Sequence, residues 1–227
     1  MYQSNDFAKK VYEDFEHLAG KRTNEESHWQ EIAERMDPGS SHQFRAKHPN
    51  ATTGDKRNEK IFDSTASIAL GRFAAILDSL LTPRDQTWHK LKPSDPYLTK
   101  QRNIMLWFEE VNRLLLNYRY QSVANFASQN QQNYRSLGAY GTGCVFVDGL
   151  RAGRGLRYRN IHLSEIFFAE NHQGLIDMAY RRFFLTLRQA EQKFGNKIPD
   201  SLKSRMATNP QEEVELLHAV LPRMDQD

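Results

Sequence analysis

Residues 138–149 read GAYGTGCVFVDG, and the spacing of the apolar residues changes within this stretch. Before it, apolar residues recur every three or four positions, which is the period of a helix with one buried face. After it, apolar and polar residues alternate, which is the pattern of a half-buried strand. The sequence therefore predicts an α+β fold, with a mainly helical N-terminal layer at 1–137 and a small, β-rich antiparallel segment at 138–227.

Four helical segments are predicted in the first part of the chain. Their expected ranges are 6–36, 58–81, 98–120 and 122–137. The first is either two helices or one kinked helix, because Gly20 interrupts it and Thr23 with Glu26 matches the spacing of a capping box. In the second, Ala69 and Ala74 are small enough to let another helix approach closely, so we expect both to lie at a helix–helix contact.

Four strands and then a short helix are predicted in the second part. The expected strands are 144–147, 156–162, 166–169 and 176–184. Thr186 and Gln189 form a capping box at the start of a helix that runs to Phe194. A last alternating stretch from Val214 to Leu221 predicts a strand close to the end of the sequence. Because no partner strand follows it, we expect the chain to be part of a longer protein.

The composition is that of an ordinary globular protein, with 227 residues of which 39% are hydrophobic and 26% charged. The net charge of +3 is too small for a histone-like nucleic-acid binder, although basic residues can still be concentrated on one surface. Cys144 is the only cysteine, which excludes an intrachain disulfide and is typical of a reducing cytoplasm. We expect neither a secretory signal peptide nor a membrane span, since the N-terminus has no apolar core and no long apolar run occurs.

The residues that enzymes use occur here without the spacing that their chemistry needs. The glycines at 141 and 143 lack the pattern of a dinucleotide-binding or phosphate-binding loop, and they are expected to form a tight turn. The eight histidines show no HxH or HExxH spacing, and Cys144 has no neighbouring histidine that could activate it. We therefore expect no catalytic residue, no metal and no cofactor, and the protein is not expected to be an enzyme.

Arginine is concentrated in the β-rich segment, where residues 149–188 hold seven arginines and no lysine. Strand alternation places Arg157 and Arg159 on one face. If the strands at 156–162 and 176–184 belong to one sheet, Arg181 and Arg182 lie beside them in an arginine ridge. Guanidinium groups bind carboxylates and phosphates with two hydrogen bonds, so the ridge can face a neighbouring subunit or DNA. The candidate residues for this role are Arg151, Arg154, Arg157, Arg159, Arg181 and Arg182.

The segment at 37–57 is rich in turn-forming residues and shows no helical or strand period. Loops of this length in a compact protein are often binding segments. We therefore regard it as a candidate contact loop, whose basic residues are Arg45, Lys47, Lys56 and Arg57. After the following helix, Trp88 and Leu91 are expected to anchor the next loop.

Several short sequences, taken in order, resemble the N-terminal region of the portal, or head-to-tail connector, proteins of short-tailed, podovirus-like bacteriophages. They are GDKR at 54–57, IFDSTA at 61–66, LDSLLTP at 77–83, WHKL at 88–91, GTG at 141–143, LRY at 156–158, SEIFFAEN at 164–171 and the YRR at 180–182 that follows Asp177. The resemblance covers nearly the whole chain from about Trp29 to Arg223. It is specific because all of these sequences occur together and in the same order.

The resemblance implies a structural subunit of a dodecameric ring at one capsid vertex, which connects the capsid to the tail and through which double-stranded DNA is packaged and ejected. It implies that 1–137 and 138–227 are helical and β-rich segments of the outer wing, truncated before the stem, clip and crown. It also implies capsid protein, scaffolding protein, terminase and tail adaptor proteins as partners, with the virion as location and the host cytoplasm as the place of assembly. A free-standing module that binds double-stranded DNA is the alternative, and a nuclease or terminase is a third, weaker one.

Overall fold

The computed structural model describes residues 4–40, 44, 61–150 and 155–223. Contacts divide the chain into two compact units. Unit 1 comprises Met1–Glu34, Pro38–Glu59 and Ser164–Asp227, and unit 2 comprises Arg35–Asp37 and Lys60–Leu163, in each case as far as the residues are described. Each unit combines helices with a small antiparallel sheet, which confirms the predicted α+β class.

The described helices and strands follow the predicted order closely. Five helices come first, at Ser4–Lys21 (α1), Thr23–Met36 (α2), Thr65–Leu81 (α3), Arg102–Tyr120 (α4) and Phe126–Tyr140 (α5). Four strands follow, at Cys144–Gly149 (β1), Leu156–Ile161 (β2), Ile166–Glu170 (β3) and Ile176–Thr186 (β4). The described part ends with Leu187–Phe194 (α6), Asp200–Thr208 (α7) and Glu213–Val220 (β5).

Helices α1 and α2 are joined at Arg22 with almost no interruption. The Arg22 N–H donates to the Leu18 carbonyl, and the Glu26 N–H donates to the Arg22 carbonyl, so helical hydrogen bonds continue through the junction. The Thr23 hydroxyl donates to the Ala19 carbonyl. The capping box predicted at Thr23 is therefore wrong, because its hydroxyl bonds back to the preceding turn. Helix α2 ends at Met36, before Asp37, as predicted.

Helices α3 and α5 pack together in unit 2 at close range. Ala74 of α3 is 1% exposed, and Gly138 of α5 lies so near that a Cβ atom there would meet Leu70 and Phe73 at 2.9 and 2.7 Å. The expected close approach is confirmed at Ala74. It is wrong at Ala69, which is exposed, because this residue lies on another side of α3.

The strands form two sheets, and the expectation of a single sheet that includes both 156–162 and 176–184 is wrong. Strand β2 pairs with β1 in a two-stranded antiparallel sheet of unit 2. In unit 1, β4 lies between β3 and β5, with both pairings antiparallel. The last strand thus has β4 as its partner. An antiparallel strand pairs readily with a strand close to it in the chain, and β2 pairs with β1, which precedes it.

Aromatic residues form the core of each unit. In unit 1, Phe15 of α1 meets Phe167 of β3 edge to face, with ring centres 4.9 Å apart, and both pack with the fully buried Tyr180. In unit 2, Phe126 contacts Tyr158 in the same manner. Such pairs contribute about 0.5–1.5 kcal/mol beyond the burial of their surface.

The capping box predicted at the start of α6 is confirmed. The Thr186 side chain accepts from the Gln189 N–H, and the Gln189 side chain accepts from the Thr186 N–H. Helix α7 was not predicted, because its nine residues carry no clear apolar stripe.

Candidate interaction surfaces

Arg157 and Arg159 lie on the exposed face of β2, and Tyr158 between them is buried. The predicted alternation is therefore confirmed for this strand. Across the β1–β2 pair, Arg157 lies opposite Asp148 and Arg159 lies opposite Phe146. The carboxylate of Asp148 lies beside Arg157 and offsets part of the positive charge of this arginine. The positively charged surface of the β1–β2 sheet is therefore smaller than the sequence suggests.

Arg181 lies in the interior of unit 1. It is 8% exposed, and its Nε and Nη2 donate to one carboxylate oxygen of Glu165 at 3.0 and 2.8 Å. Its guanidinium also lies over the ring of Phe183, 4.5 Å from the ring centre. These contacts use the cation within its own unit, so Arg181 is a structural residue and not part of a surface.

Arg182 points to the other side of β4, since neighbouring residues of a strand face opposite ways. Its Nε lies 3.5 Å from a carboxylate oxygen of Glu215 on β5. Its guanidinium is also within 6.0 Å of the ring centres of Phe15 and Phe167. The single ridge of four arginines expected from the sequence is therefore wrong, because Arg181 and Arg182 lie in another sheet and on opposite faces of it.

The remaining basic residues named from the sequence lie outside the described residues. They are Arg151 and Arg154, between β1 and β2, and the contact-loop residues Arg45, Lys47, Lys56 and Arg57. Their role as a subunit or DNA contact stays a prediction.

Arg119 of α4 holds together a group of aromatic residues in unit 2 that the sequence did not reveal. Its Nε donates to the Tyr158 hydroxyl at 3.2 Å, and its guanidinium lies 4.7 Å from the ring centre of Trp88. The indole N–H of Trp88 donates to the Tyr120 hydroxyl at 3.0 Å. The loop that follows α3 is thus anchored by Trp88, as predicted.

An open pocket of about 290 Å³ adjoins this group, with Arg84 and Arg119 among its lining residues.

His89 belongs to the same group and lies against Arg119. Its Nδ1 lies 3.2 Å from the Arg119 Nη1, so Nδ1 accepts and the ring proton is on Nε2. Burial, and then the positive charge of Arg119, lower the pKa of His89 below its ordinary value. The aromatic group around Arg119 is thus a packing arrangement, and His89 is the residue in it that can gain a proton.

Large apolar side chains are exposed on two helices of unit 2, and this is the main surface feature that sequence reasoning missed. On α3, the exposed fractions of Ile76 and Leu80 are 56% and 72%, and on α4 that of Trp107 is 61%. The helical period predicts one apolar stripe on each helix, and such a stripe is typical of a face buried in the core. The available signal was the width of the stripe, since α3 has apolar residues on more sides than one buried face needs.

The described residues offer no arrangement suited to metal chemistry. Within the described ranges, no group of three or more histidine, cysteine or acidic residues is placed to hold a metal ion. Over the same ranges, no helix has the length and apolar character needed to cross a membrane.

Comparison with known proteins identifies relatives among bacteriophage proteins. The family model described as "Bacteriophage head to tail connecting protein" matches residues 8–227. The chain is 29% identical over 217 residues to the "Portal protein" of Salmonella phage epsilon15, with 92% of this chain and 37% of the relative covered. It is 28% identical over 221 residues to the "Probable portal protein" of Bordetella phage BPP-1, with the same coverage. The chain therefore spans little more than a third of the length of these curated relatives.

Proposed function

The chain belongs to the family of bacteriophage head to tail connecting proteins, and on this premise we propose that it is the N-terminal, wing-forming part of a portal subunit. In this role, copies of the protein form a ring at one vertex of the capsid, and double-stranded DNA passes through the ring during packaging and ejection. The segments at 1–137 and 138–227 are the helical and β-rich parts of the wing. The role is structural and involves no catalysis, metal or cofactor.

The observation that best supports assembly is the exposed apolar surface of α3 and α4. Monomeric soluble proteins rarely expose contiguous apolar patches of large size, and such patches usually mark interaction sites. Trp107 and Phe73 are among the exposed residues, and aromatic residues are enriched at protein–protein contacts. A subunit of a ring needs such surfaces on the sides that meet its neighbours.

The partners that follow from this proposal are other copies of the chain, the capsid and scaffolding proteins, the terminase, the tail adaptor proteins and the DNA. The virion is the final location, and assembly takes place in the host cytoplasm. Arg157 and Arg159 of β2 are exposed. Substitution of both residues can therefore test whether they contribute to this assembly.

The test is to express the protein at its natural full length and to measure its mass by native mass spectrometry, with electron microscopy of the same sample. The proposal predicts closed rings of a single, defined subunit number. It also predicts that a phage lacking the gene makes no DNA-filled heads, and that the gene restores them when supplied separately. A protein that stays monomeric at all concentrations, or a phage that packages DNA without it, would overturn the proposal.

A free-standing DNA-binding module is the alternative function. It would need a dense basic surface, and Arg181 and Arg182, which contribute to the basic segment in the sequence, are paired with Glu165 and Glu215. The isolated 227-residue chain should therefore bind double-stranded DNA weakly. Tight binding by this chain that falls steeply with salt concentration would favour the alternative.

A further inference from the structure

The open pocket of unit 2 has positive charge in its lining and no negative charge to balance it. This is the pocket of about 290 Å³ beside the aromatic group around Arg119. Arg84 and Arg119 both line it, and none of the described residues that line it is acidic. A cleft with two cations and several polar side chains in its lining is suited to a small anionic group.

Arg119 has a positive charge that its neighbours do not balance. Its Nε donates to the Tyr158 hydroxyl at 3.2 Å, and its Nη1 lies 3.2 Å from Nδ1 of His89. Its guanidinium also lies 5.4 Å from the ring centre of Phe126, which lines the pocket. Within the described part of the chain, Arg119 makes no ion pair, and its Nη2 has no hydrogen-bond partner. A half-buried cation of this kind is stabilised when an anion binds beside it.

Arg84 is the second cation of the pocket, and most of its hydrogen-bonding groups are available. Its Nη2 lies 3.7 Å from a carboxylate oxygen of Asp78, and the Arg84 side chain is 62% exposed. A long ion pair at the surface contributes little to stability. A guanidinium carries five N–H donors, so Arg84 can bind an anion in the pocket while it stays near Asp78.

Hydroxyl and backbone groups add further donors to the two arginines. The side chains of Ser122 and Ser128 line the pocket, and neither makes a hydrogen bond to another described residue. Helix α5 begins at the pocket, and the side chain of Asn125 does not cap it. The N–H groups of Phe126, Ala127 and Ser128 thus have no partner among the residues that the structure describes. The partial positive charge of a helix start strengthens the preference for an anion.

The charge of unit 2 as a whole also favours an anion. Its ranges, 35–37 and 60–163, contain 15 lysine and arginine residues and 8 aspartate and glutamate residues, which gives a formal net charge of +7. The ranges of unit 1 contain 16 and 20 such residues, which gives −4. The small net charge of the chain therefore conceals one strongly basic unit. A positive field of this kind raises the local concentration of anions.

We propose that this pocket binds a phosphate group. The oxygen atoms of a phosphate point in tetrahedral directions, so it can accept hydrogen bonds from both arginines and from the start of α5 at the same time. A carboxylate has two oxygens in one plane, and a single guanidinium satisfies both. Two sources share the phosphate chemistry, namely the backbone of DNA and a free phosphate compound. The inference goes beyond the proposed ring, because it requires no contact between copies.

The first test is a titration of inorganic phosphate with the protein at its natural full length, followed by phosphorus NMR at constant ionic strength. The wild-type protein should broaden the phosphate signal in a saturable way. Ser128→Asp should abolish this effect, because its own carboxylate then lies in the pocket. A negative charge in the first turn of a helix is favourable, so the melting temperature of this variant should not fall. The control is Gln132→Asp, at an exposed position of α5 outside the pocket lining, which should bind phosphate like the wild type.

A second pair of variants removes a positive charge. Arg84→Gln should weaken the binding of inorganic phosphate about two- to fivefold, as expected for an exposed charge pair. Arg102→Gln, at an exposed position of α4 outside the lining, makes the same change in net charge and should leave phosphate binding unchanged. An equal loss in both variants would show that phosphate responds to net charge alone, and would overturn the inference.

Competition identifies the source of the phosphate. A short DNA duplex that displaces inorganic phosphate from the wild-type protein, and binds less well to Ser128→Asp, assigns the pocket to the DNA backbone. A duplex that leaves the bound phosphate in place assigns the pocket to a free phosphate compound. Both results support a phosphate site.

Three results would overturn the inference. They are the lack of saturable phosphate binding by the wild-type protein, equal binding by Ser128→Asp, and binding of acetate in preference to phosphate. The last result would assign the pocket to an acidic side chain of a protein partner. Native mass spectrometry of the same samples measures ring formation separately, so rings without phosphate binding would contradict this inference and leave the proposed function intact.

Discussion

Asn112, on α4, makes both hydrogen bonds that the backbone of Leu91 offers. Its side-chain oxygen accepts from the Leu91 N–H at 2.6 Å, and its amide nitrogen donates to the Leu91 carbonyl at 3.0 Å. Asn112 is 5% exposed, so these bonds are shielded from water. The loop after α3 is therefore fixed to α4 through its backbone, while the Leu91 side chain remains exposed.

Replacing Asn112→Leu should destabilise the protein, because it leaves two backbone groups of Leu91 without partners. An unsatisfied buried group costs about 1–3 kcal/mol, so we expect a loss in the free energy of unfolding toward the upper end of that range. Urea denaturation followed by circular dichroism measures it. The control is Asn117→Leu, at an exposed position of the same helix. Equal stability of the two variants would show that the Leu91 hydrogen bonds contribute nothing.

Arg181 and Arg157 should differ in their effect on stability although both are strand arginines. Arg181→Ala leaves Glu165 without its hydrogen-bonding cation, and we expect a loss of about 1–3 kcal/mol, as for other buried charged groups. Arg157→Ala should change stability by no more than about 0.5 kcal/mol, because Arg157 is exposed. Thermal unfolding of both variants measures this difference in stability. A larger effect at Arg157 would mean that the assignment of Arg181 as the structural residue is wrong.

Gly138→Ala should destabilise the contact between α3 and α5. The new Cβ would lie within 3.0 Å of Leu70 and Phe73, and Leu70 is buried and cannot turn outward. Overpacking of this kind costs about 1–3 kcal/mol, which exceeds the gain of about 1 kcal/mol from the better helix propensity of alanine.

Gly20→Ala is the control for this prediction, since nothing lies within 4 Å of a Cβ at Gly20 in α1. This substitution should raise the free energy of unfolding by about 0.5–1 kcal/mol, because the helix gains and no contact is lost. Melting temperatures of the two variants should therefore move in opposite directions. A rise in both would show that the α3–α5 contact relaxes without cost.

Stability should fall in mild acid, in part because of His89. The pKa of His89 is lowered in the folded protein by burial and by Arg119, so the unfolded chain binds a proton at a higher pH than the folded one does. The stabilisation is complete above the ordinary histidine value of about 6.5 and is lost as pH falls toward the lowered pKa. His218 has a pKa that is lowered by burial, Lys193 and Arg181, and it adds to the same trend.

The measurement is the free energy of unfolding between pH 5 and 8 for the wild-type chain and for His89→Gln. The wild-type chain should lose stability through the lower part of this range, and the variant should lose less. His17→Gln, at an exposed position of α1, serves as the control. An unchanged slope in His89→Gln would show that His89 does not carry the effect.

Replacing Arg157 and Arg159 together by alanine should weaken ring assembly while the subunit stays folded. Both residues are exposed on β2, and guanidinium groups can pair with carboxylates of a neighbouring copy. Native mass spectrometry of the full-length double variant measures assembly, and circular dichroism measures folding. Intact rings together with a loss of salt-sensitive DNA binding would instead assign these arginines to DNA.

The elements that could be predicted from the sequence are those determined by residues close together in the chain. The helix at 102–120 follows from its period, and the cap at Thr186 follows from Gln189 three residues later. The division into two sheets could not be predicted, because alternation in β2 and β4 indicates strands without indicating their partners. Pairing depends on contacts between distant residues, which the local pattern does not contain.

The surface sites were harder to predict than the fold. Arg181 and Arg157 look alike in the sequence, and only their neighbours in space show that one is an internal ion pair and the other is exposed. Likewise, the period of α3 predicts apolar faces without showing that Leu70 lies inside and Leu80 outside. Burial is a property of the packed units, so the candidate surfaces became visible only in three dimensions.

Arg22 connects the N-terminal helices of unit 1 to the segment of the same unit that begins at Ser164. Its guanidinium lies 3.5 Å from the ring centre of Phe167 and donates to the carbonyls of Ser164, at 3.2 Å, and Ile166. These partners come more than 140 residues later in the chain. At a synthesis rate of 5–20 residues per second, the N-terminal helices wait on the order of ten seconds for them. Unit 2 leaves the ribosome as a nearly continuous stretch during that time, so we expect unit 2 to fold before unit 1 is complete.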